Sequence, residues 1–405
     1  MRTLLGVSIA YSLILLAGCG SSSGGGPSLP PGIQVSVSPP QASVEPGAPQ
    51  PFTATVTGGV TSAVTWTVSE GATGGTISQA GLYTAPVAAG TYHVVATSQE
   101  DSSRGATATV SVAPAPDAGK IYVADSNNSR IVRVDGITGA GWVSFGSQGS
   151  GTGRFNAPRG LAVASDGKIF VLDSGNNRIV RIDSIAGAGW TSLGSSGAGT
   201  NQFSAPTGLF VASNGAIYIA DTGNDRIIRM NDITGAGWSS VGTHGFGTGQ
   251  FNRPAGVTVD GAGRIYVADT LNHRIVRMSD MSGAGWTTIG GIRGTGNGYF
   301  DSPSSVALDS HGRLYVGDTG NGRVTRMDDS TGANWTSLGS LGSGVLHFNR
   351  PTGVFVASDG RIYVQDEGNN RIVRVNDLTG GGWTSLGSFG SGTNRFDAPA
   401  GFFLR

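Results

Sequence analysis

Asp173-Ser174-Gly175-Asn176-Asn177-Arg178-Ile179-Val180-Arg181-Ile182 is the stretch that decides the fold. Met once, its carboxylate, amide and guanidinium look like a catalytic cluster. The pattern Asp-x-x-Asn-x-Arg occurs six times, however, with aspartates at 125, 173, 221, 269, 318 and 366, spaced by 48, 48, 48, 49 and 48 residues. A Trp follows each copy, at 142, 190, 238, 286, 335 and 383. Phe155, Phe203, Phe251, Phe300, Phe348 and Phe396 each stand three residues before a Pro. Self-similarity at such a period is the signature of a repeat architecture. Asp125 with Arg130, Asp173 with Arg178, Asp221 with Arg226, Asp269 with Arg274, Asp318 with Arg323 and Asp366 with Arg371 are therefore read as structural pairs. In such a turn the carboxylate and guanidinium pair or bond nearby backbone.

Within a repeat, Gly160-Leu-Ala-Val-Ala reads as one strand and Lys168 to Asp173 as a second, with a Ser-Asp-Gly turn between them. Arg178-Ile-Val-Arg-Ile makes a third, and a fourth begins at Trp190. Four short strands joined by hairpin turns suggest a propeller blade. These residues resemble the NHL repeat, over residues 120–405. Ser305, which replaces the usual Gly after the Pro, and Gln365 and Glu367, which flank Asp366, are the departures. The first repeat enters at its second strand, Lys120 to Asp125, and the last stops after a first strand, Gly401 to Arg405. The expectation is an all-β, six-bladed propeller closed by residues 401–405 joining the first blade, which removes two open strand edges.

Residues 33–113 alternate apolar and polar side chains in short runs such as Val64-Thr-Trp66-Thr-Val68, punctuated by Pro39-Pro40, Pro46-Gly47 and Gly58-Gly59. That pattern predicts a β-sandwich. The segment Gly75 to Pro86 resembles bacterial Ig-like domains, modules that the resemblance implies are spacers or adhesive units. Residues 114–119 read as a linker.

Met1 and Arg2 precede an apolar run from Leu4 to Ala17, too short to span a bilayer and right for the core of a signal peptide over residues 1–18. Leu16-Ala17-Gly18-Cys19 resembles the lipobox of bacterial lipoproteins, which implies acylation of Cys19 and attachment to a membrane. Residues 19–32, rich in Gly, Ser and Pro, make a tether. Gly20 stands where lipoproteins retained in the inner membrane often carry Asp, so the resemblance points to the outer membrane of the cell envelope.

Charge sets further limits. The chain has 26 basic and 26 acidic residues, and 12 of the propeller's 22 arginines belong to the repeated Arg-x-x-Arg pairs. That leaves no basic excess for nucleic acid. Glycine supplies 69 of 405 residues and recurs in the repeats' turns, where positive backbone angles are needed.

Ligand recognition is expected where the repeats differ. Ahead of the first strands, Arg159 is matched by Thr207, Ala255, Ser304, Thr352 and Ala400. Before each repeated Phe, or further up the same loop, stand Arg154, His244, Arg293, Tyr299, His347, Phe389 and Arg395. Such a rim suits a protein or polysaccharide. The favoured reading is a noncatalytic surface interaction platform. One alternative is a propeller lyase or hydrolase, since the resemblance extends to metal-dependent amidating lyases; the other is a structural component of a surface assembly. The lyases need converging histidines, whereas the five here are scattered over strand, turn and loop. No catalytic residue, metal site or cofactor is therefore assigned. Calcium bound by loop oxygens is chemically conceivable, but no spacing calls for it.

Overall fold

The computed structural model describes residues 32–44, 47–86, 90–112 and 119–405. Cys19, the signal segment and almost all of the tether and linker lie outside these residues. The chain divides into two compact units, Met1–Ala115 and Pro116–Arg405. Among the described residues there is no α-helix, only single turns of 3-10 helix, and no helix long and apolar enough to cross a membrane.

The first unit is a sandwich. Its four-stranded sheet runs Gln41–Val44, Gly105–Val112, Gly90–Ser98, Val64–Val68, and a three-stranded sheet and a strand pair accompany it. Trp66, Phe52, Tyr83 and Val94 are buried in one core. Tyr83 keeps its polar end satisfied by donating from its hydroxyl to the carbonyl of Gly74 at 2.6 Å.

The second unit contains six four-stranded antiparallel sheets, each with its strands in order from first to fourth. Sheet 2 shows the plan: Pro158–Val163, Ile169–Asp173, Arg178–Ile182 and Thr191–Leu193. Sheets 3, 4, 5 and 6 begin at Gly208, Pro254, Ser305 and Pro351. Sheet 1 is assembled from both ends of the unit. Pro399–Leu404 pairs antiparallel with Ile121–Asp125, Val123 opposite Phe402, and Arg130–Val134 and Val143–Phe145 complete it.

The second strands are buried at every position, as in Ile217-Tyr-Ile-Ala-Asp221, which explains their near-continuous apolar sequence: both faces meet a neighbouring sheet. Six apolar cores result, each shared by two adjacent sheets. The one formed by Ile121, Val123, Tyr363, Ile372 and Phe396 joins sheet 6 to sheet 1 and completes the cycle. The first strands follow one another around the axis in the same cycle.

Glycine is required where backbone and ring approach. Gly194 has φ +126°, and a Cβ there would lie 2.7 Å from the ring of Phe203. The equivalent glycines make the same room for each repeated Phe.

Candidate functional site

The repeated motif is a clamp. In sheet 2, Asp173 is fully buried. Its Oδ1 accepts from the backbone N–H of Asn156 at 2.6 Å, and its Oδ2 accepts from Asn176 Nδ2 at 2.7 Å and Arg178 Nε at 2.8 Å. The far side of the Arg178 guanidinium donates to the carbonyls of Ser150 and Arg154, in the crossover loop that leads to the sheet's first strand. Its flat face lies 5.6 Å from the Trp190 ring centre, and Trp190 packs on Phe155 at 5.3 Å. One aspartate, one arginine and two aromatic rings thus fasten the loop to the middle of its own sheet.

The other five copies repeat this geometry, with Asp–Arg distances of 2.7–2.8 Å and Arg–Trp distances of 5.5–6.0 Å. In sheets 3, 4 and 5 the arginines are Arg226, Arg274 and Arg323. Arg226 donates to the carbonyls of Ala198 and Gln202, Arg274 to those of Phe246 and Gln250, and Arg323 to those of Thr295 and Tyr299. Arg371 of sheet 6 reaches Gly344 and His347 in the same way. Each Arg therefore both pairs with its Asp and bonds backbone, and the backbone it reaches is that of the crossover loop. The guanidinium has five N–H donors and the carboxylate uses only one of them, so the rest are free to hold the crossover loop.

Burial pushes each of these carboxyls above its ordinary range, and the backbone, asparagine and arginine donors pull it back. In sheet 1 the clamp spans the unit's two ends: Arg130 donates to the carbonyls of Ser391 and Arg395, and Asp397 N–H donates to Asp125. With every acceptor occupied, none of these carboxylates is placed to move a proton for a substrate.

At the axis, on the face where the first strands begin, lies a depression of about 450 Å³. The six equivalent residues at the start of those strands (Arg159, Thr207, Ala255, Ser304, Thr352 and Ala400) all line it. Arg253, Arg350 and Glu367 add charge, while Leu271 is its one large apolar side chain. Arg159, Arg253 and Arg350 belong to sheets 2, 4 and 6, so guanidinium groups approach from alternate sheets.

Several hydroxyls at and near this wall stitch neighbouring sheets together. Thr207 and Thr222 share a hydrogen bond of 2.7 Å, and Thr222 donates to the carbonyl of Pro254 at 2.8 Å. Ser304 meets Thr319, which donates to the carbonyl of Pro351 at 2.8 Å. Ser174 does the same to Pro206 at 2.5 Å.

Sheet 6 departs from this scheme. Where the other sheets have Ser126, Ser174, Thr222, Thr270 and Thr319, it has Glu367, which has no proton to donate when ionised. Gln365, standing where sheet 3 has Ala220, takes over: its Nε2 donates to the carbonyl of Pro399 at 2.6 Å and to Thr352 Oγ1 at 2.9 Å. The Glu367 side chain is 7% exposed, and its Oε2 lies 3.6 Å from Arg350 Nη2, without a hydrogen bond.

Family models match at this point. The NHL repeat model covers residues 155–182, 251–278, 300–327 and 348–374, and the bacterial Ig-like domain (group 2) model covers 33–110. The chain carries NHL repeats. The fold resembles that of a protein of unknown function from Bacteroides caccae, at 12% identity and a TM-score of 0.50, covering 70% of this chain and 97% of that one. A virginiamycin B lyase from Staphylococcus aureus, crystallised with quinupristin as an inactive variant, aligns at 17% identity and a TM-score of 0.46, covering 64% of this chain and 78% of that one. A streptogramin B lyase aligns at 18% and 0.42, covering 56% and 67% respectively. At these identities the likeness concerns the fold. No curated protein matches the chain.

Of the eight residues selected from the NHL repeat differences, Arg159 alone lines the depression. The other seven sit on the crossover loops, each exposed. Arg154 donates to the carbonyl of Gln148 at 3.2 Å, and His347 Nδ1 lies 2.8 Å from the carbonyl of Val345. His244 meets Asp225 at 3.0 Å. Arg293 pairs with Asp301 at 2.8 Å; burial raises the Asp301 carboxyl, but donors from Arg293 and Ser302 and the nearby charges outweigh it and leave it below its ordinary range.

Tyr299 and Phe389 are 42% and 67% exposed, with Phe246 and Leu341 similarly open in neighbouring loops. Arg395 lends its backbone carbonyl to the sheet 1 clamp. The face is therefore a charged funnel inside a patchy apolar rim. Among the described residues, no group of three or more His, Cys, Asp or Glu is placed to hold a metal ion. His273, for one, is engaged in a turn, where it accepts from the Ser302 N–H at 3.0 Å.

Sequence reasoning missed Arg253, Arg350 and Glu367 as parts of the site. The first two stand where other repeats have Ala157, Ala205, Ser302 and Ala398. A column-by-column comparison of the residue just before each Pro exposes them.

Proposed function

We propose that this chain is a cell-envelope lipoprotein, anchored through acylated Cys19 in the outer membrane, whose propeller is a noncatalytic platform for a protein or polysaccharide. The Ig-like unit acts as a spacer in this reading. The observation that supports it is the convergence of the six most variable first-strand positions on one charged funnel, while every repeated carboxylate is locked into the frame. Selection for folding alone does not require arginines beside the repeated Pro in alternate sheets, after it at Arg159 and before it at Arg253 and Arg350.

Binding of glycan and envelope-protein panels by the full-length chain tests the reading. Arg159→Ala should sharply reduce capture while leaving the melting temperature unchanged. Capture that ignores Arg159 removes the funnel from the account. Release of a cleaved product would favour a lyase or hydrolase instead. For the anchor, a Cys19→Ser variant should lose incorporation of a labelled fatty acid.

A further inference from the structure

The geometry points to an acidic carbohydrate as the funnel's ligand, its acid group held by Arg159, Arg253 and Arg350 and its hydroxyls donated to Glu367. This inference rests on the funnel being the binding site and names the class of molecule it takes.

Three features select that class. Most of the wall's hydroxyls already bond to the protein, within their own sheet or across to the next, so recognition falls to its charged groups. Three guanidinium groups against one carboxylate leave a positive excess suited to an anion, and a guanidinium's planar fork suits a carboxylate in particular. Protein hot spots insert aromatic or large apolar anchors into pockets, and this wall offers only Leu271 for them. A sugar acid, with C–H faces beside its polar groups, matches a wall built mostly of charged and hydroxyl side chains better than a peptide's large apolar anchor does.

Glu367 supplies the second half of the recognition. Its carboxylate is nearly buried at the wall, with an oxygen that accepts no hydrogen bond from the protein. Buried acceptors are ordinarily satisfied; this oxygen is itself shielded from solvent beside Arg350, so a ligand hydroxyl reaches it when the acid group draws Arg350 aside. The neighbouring Gln365 shows that this placement costs the frame nothing it cannot replace. It delivers to the Pro399 carbonyl the hydrogen bond that a threonine makes in sheet 3, where Thr222 serves Pro254. Gln365 and Glu367 therefore act as a coupled pair: one carries the structural bond, the other presents a carboxylate.

Titration calorimetry on the full-length chain tests this with a galacturonic acid oligomer, a neutral glucose oligomer of equal length and inorganic phosphate. Saturable binding of the uronate alone is expected, weakening with salt, and about tenfold weaker in Arg159→Ala. Glu367→Gln should also weaken it, because the amide is the poorer acceptor. Tighter binding in that variant would mean that Glu367 only repels the anion, and would overturn its role.

The double variant Q365A/E367T rewrites sheet 6 with the residues of sheet 3. It should melt with the parent and still lose uronate affinity, which separates recognition from folding. Phosphate binding as tightly as the uronate would reduce the site to an anion hole. A neutral glycan or a protein bound through Arg159 would overturn the acidic-carbohydrate class and leave the funnel standing. Binding unchanged in every funnel variant would remove the funnel itself.

Discussion

Asp366 and Glu367 are neighbours in sequence and belong to opposite regimes. Asp366 sits in the clamp, fully buried, both oxygens occupied by the Asn349 N–H, Asn369 and Arg371. Glu367 faces the funnel, and its residue type occurs there once in six repeats, with one oxygen free of hydrogen bonds. Burial alone therefore does not mark a working carboxylate. What differs is whether the frame has already used its lone pairs. Repetition identifies the first kind, and departure from repetition the second.

The largest test of that contrast is removal of Pro399–Arg405. Sheet 1 would keep three strands and expose the inner edge of Ile121–Asp125, so cooperative melting should be lost, as followed by circular dichroism; an unchanged transition would contradict closure by pairing. Next comes the clamp. Asp366→Ala leaves Arg371 without its partner and should cost about 3–5 kcal/mol in chemical denaturation, as breaking a buried ion pair does. The equivalent change at Asp221, which would strand Arg226, should cost as much, because the frame treats the sheets alike.

Gln365→Ala is smaller. It strands the Pro399 carbonyl and should cost about 1–3 kcal/mol, whereas the double variant with Glu367→Thr should recover most of that loss. Smallest is the rim: Phe389→Ser changes an exposed side chain and should stay within about 0.5 kcal/mol of the parent. A large loss there would show that the rim belongs to the frame after all.

The frame was legible because it repeats. Periodic Asp, Arg, Trp and Phe positions gave the number and order of strands, and the offset between first and last repeats paired Lys120 to Asp125 with Gly401 to Arg405, where the structure pairs Ile121–Asp125 with Pro399–Leu404. Strand ends were less sharp: the fourth strand of sheet 2 begins at Thr191 rather than Trp190, whose ring instead lies between Arg178 and Phe155. The reach of Arg226, Arg274 and Arg323 into the crossover loops was not legible either, because their carbonyl partners carry no residue-type signal.

The funnel was only partly legible. Position in a repeat predicts which loop carries a residue, but not how far it stands from the axis. Arg154 and Arg159 are five residues apart, yet one stays on the outer loop and the other lines the depression. Glu367 was visible as a departure; its meaning needed the bond that Gln365 makes in its stead.

Sheet 1 also has a consequence in time. Its clamp joins Asp125 to Asp397 across 272 residues, so the lock closes only after nearly the whole domain has been made. During synthesis the earlier sheets can form while the ring stays open and one edge waits for its strand. Contacts of such long sequence separation slow folding, and the waiting edge is where a neighbouring chain could pair by mistake. The last strand acts as a checkpoint: the propeller is finished by its final residues or not at all.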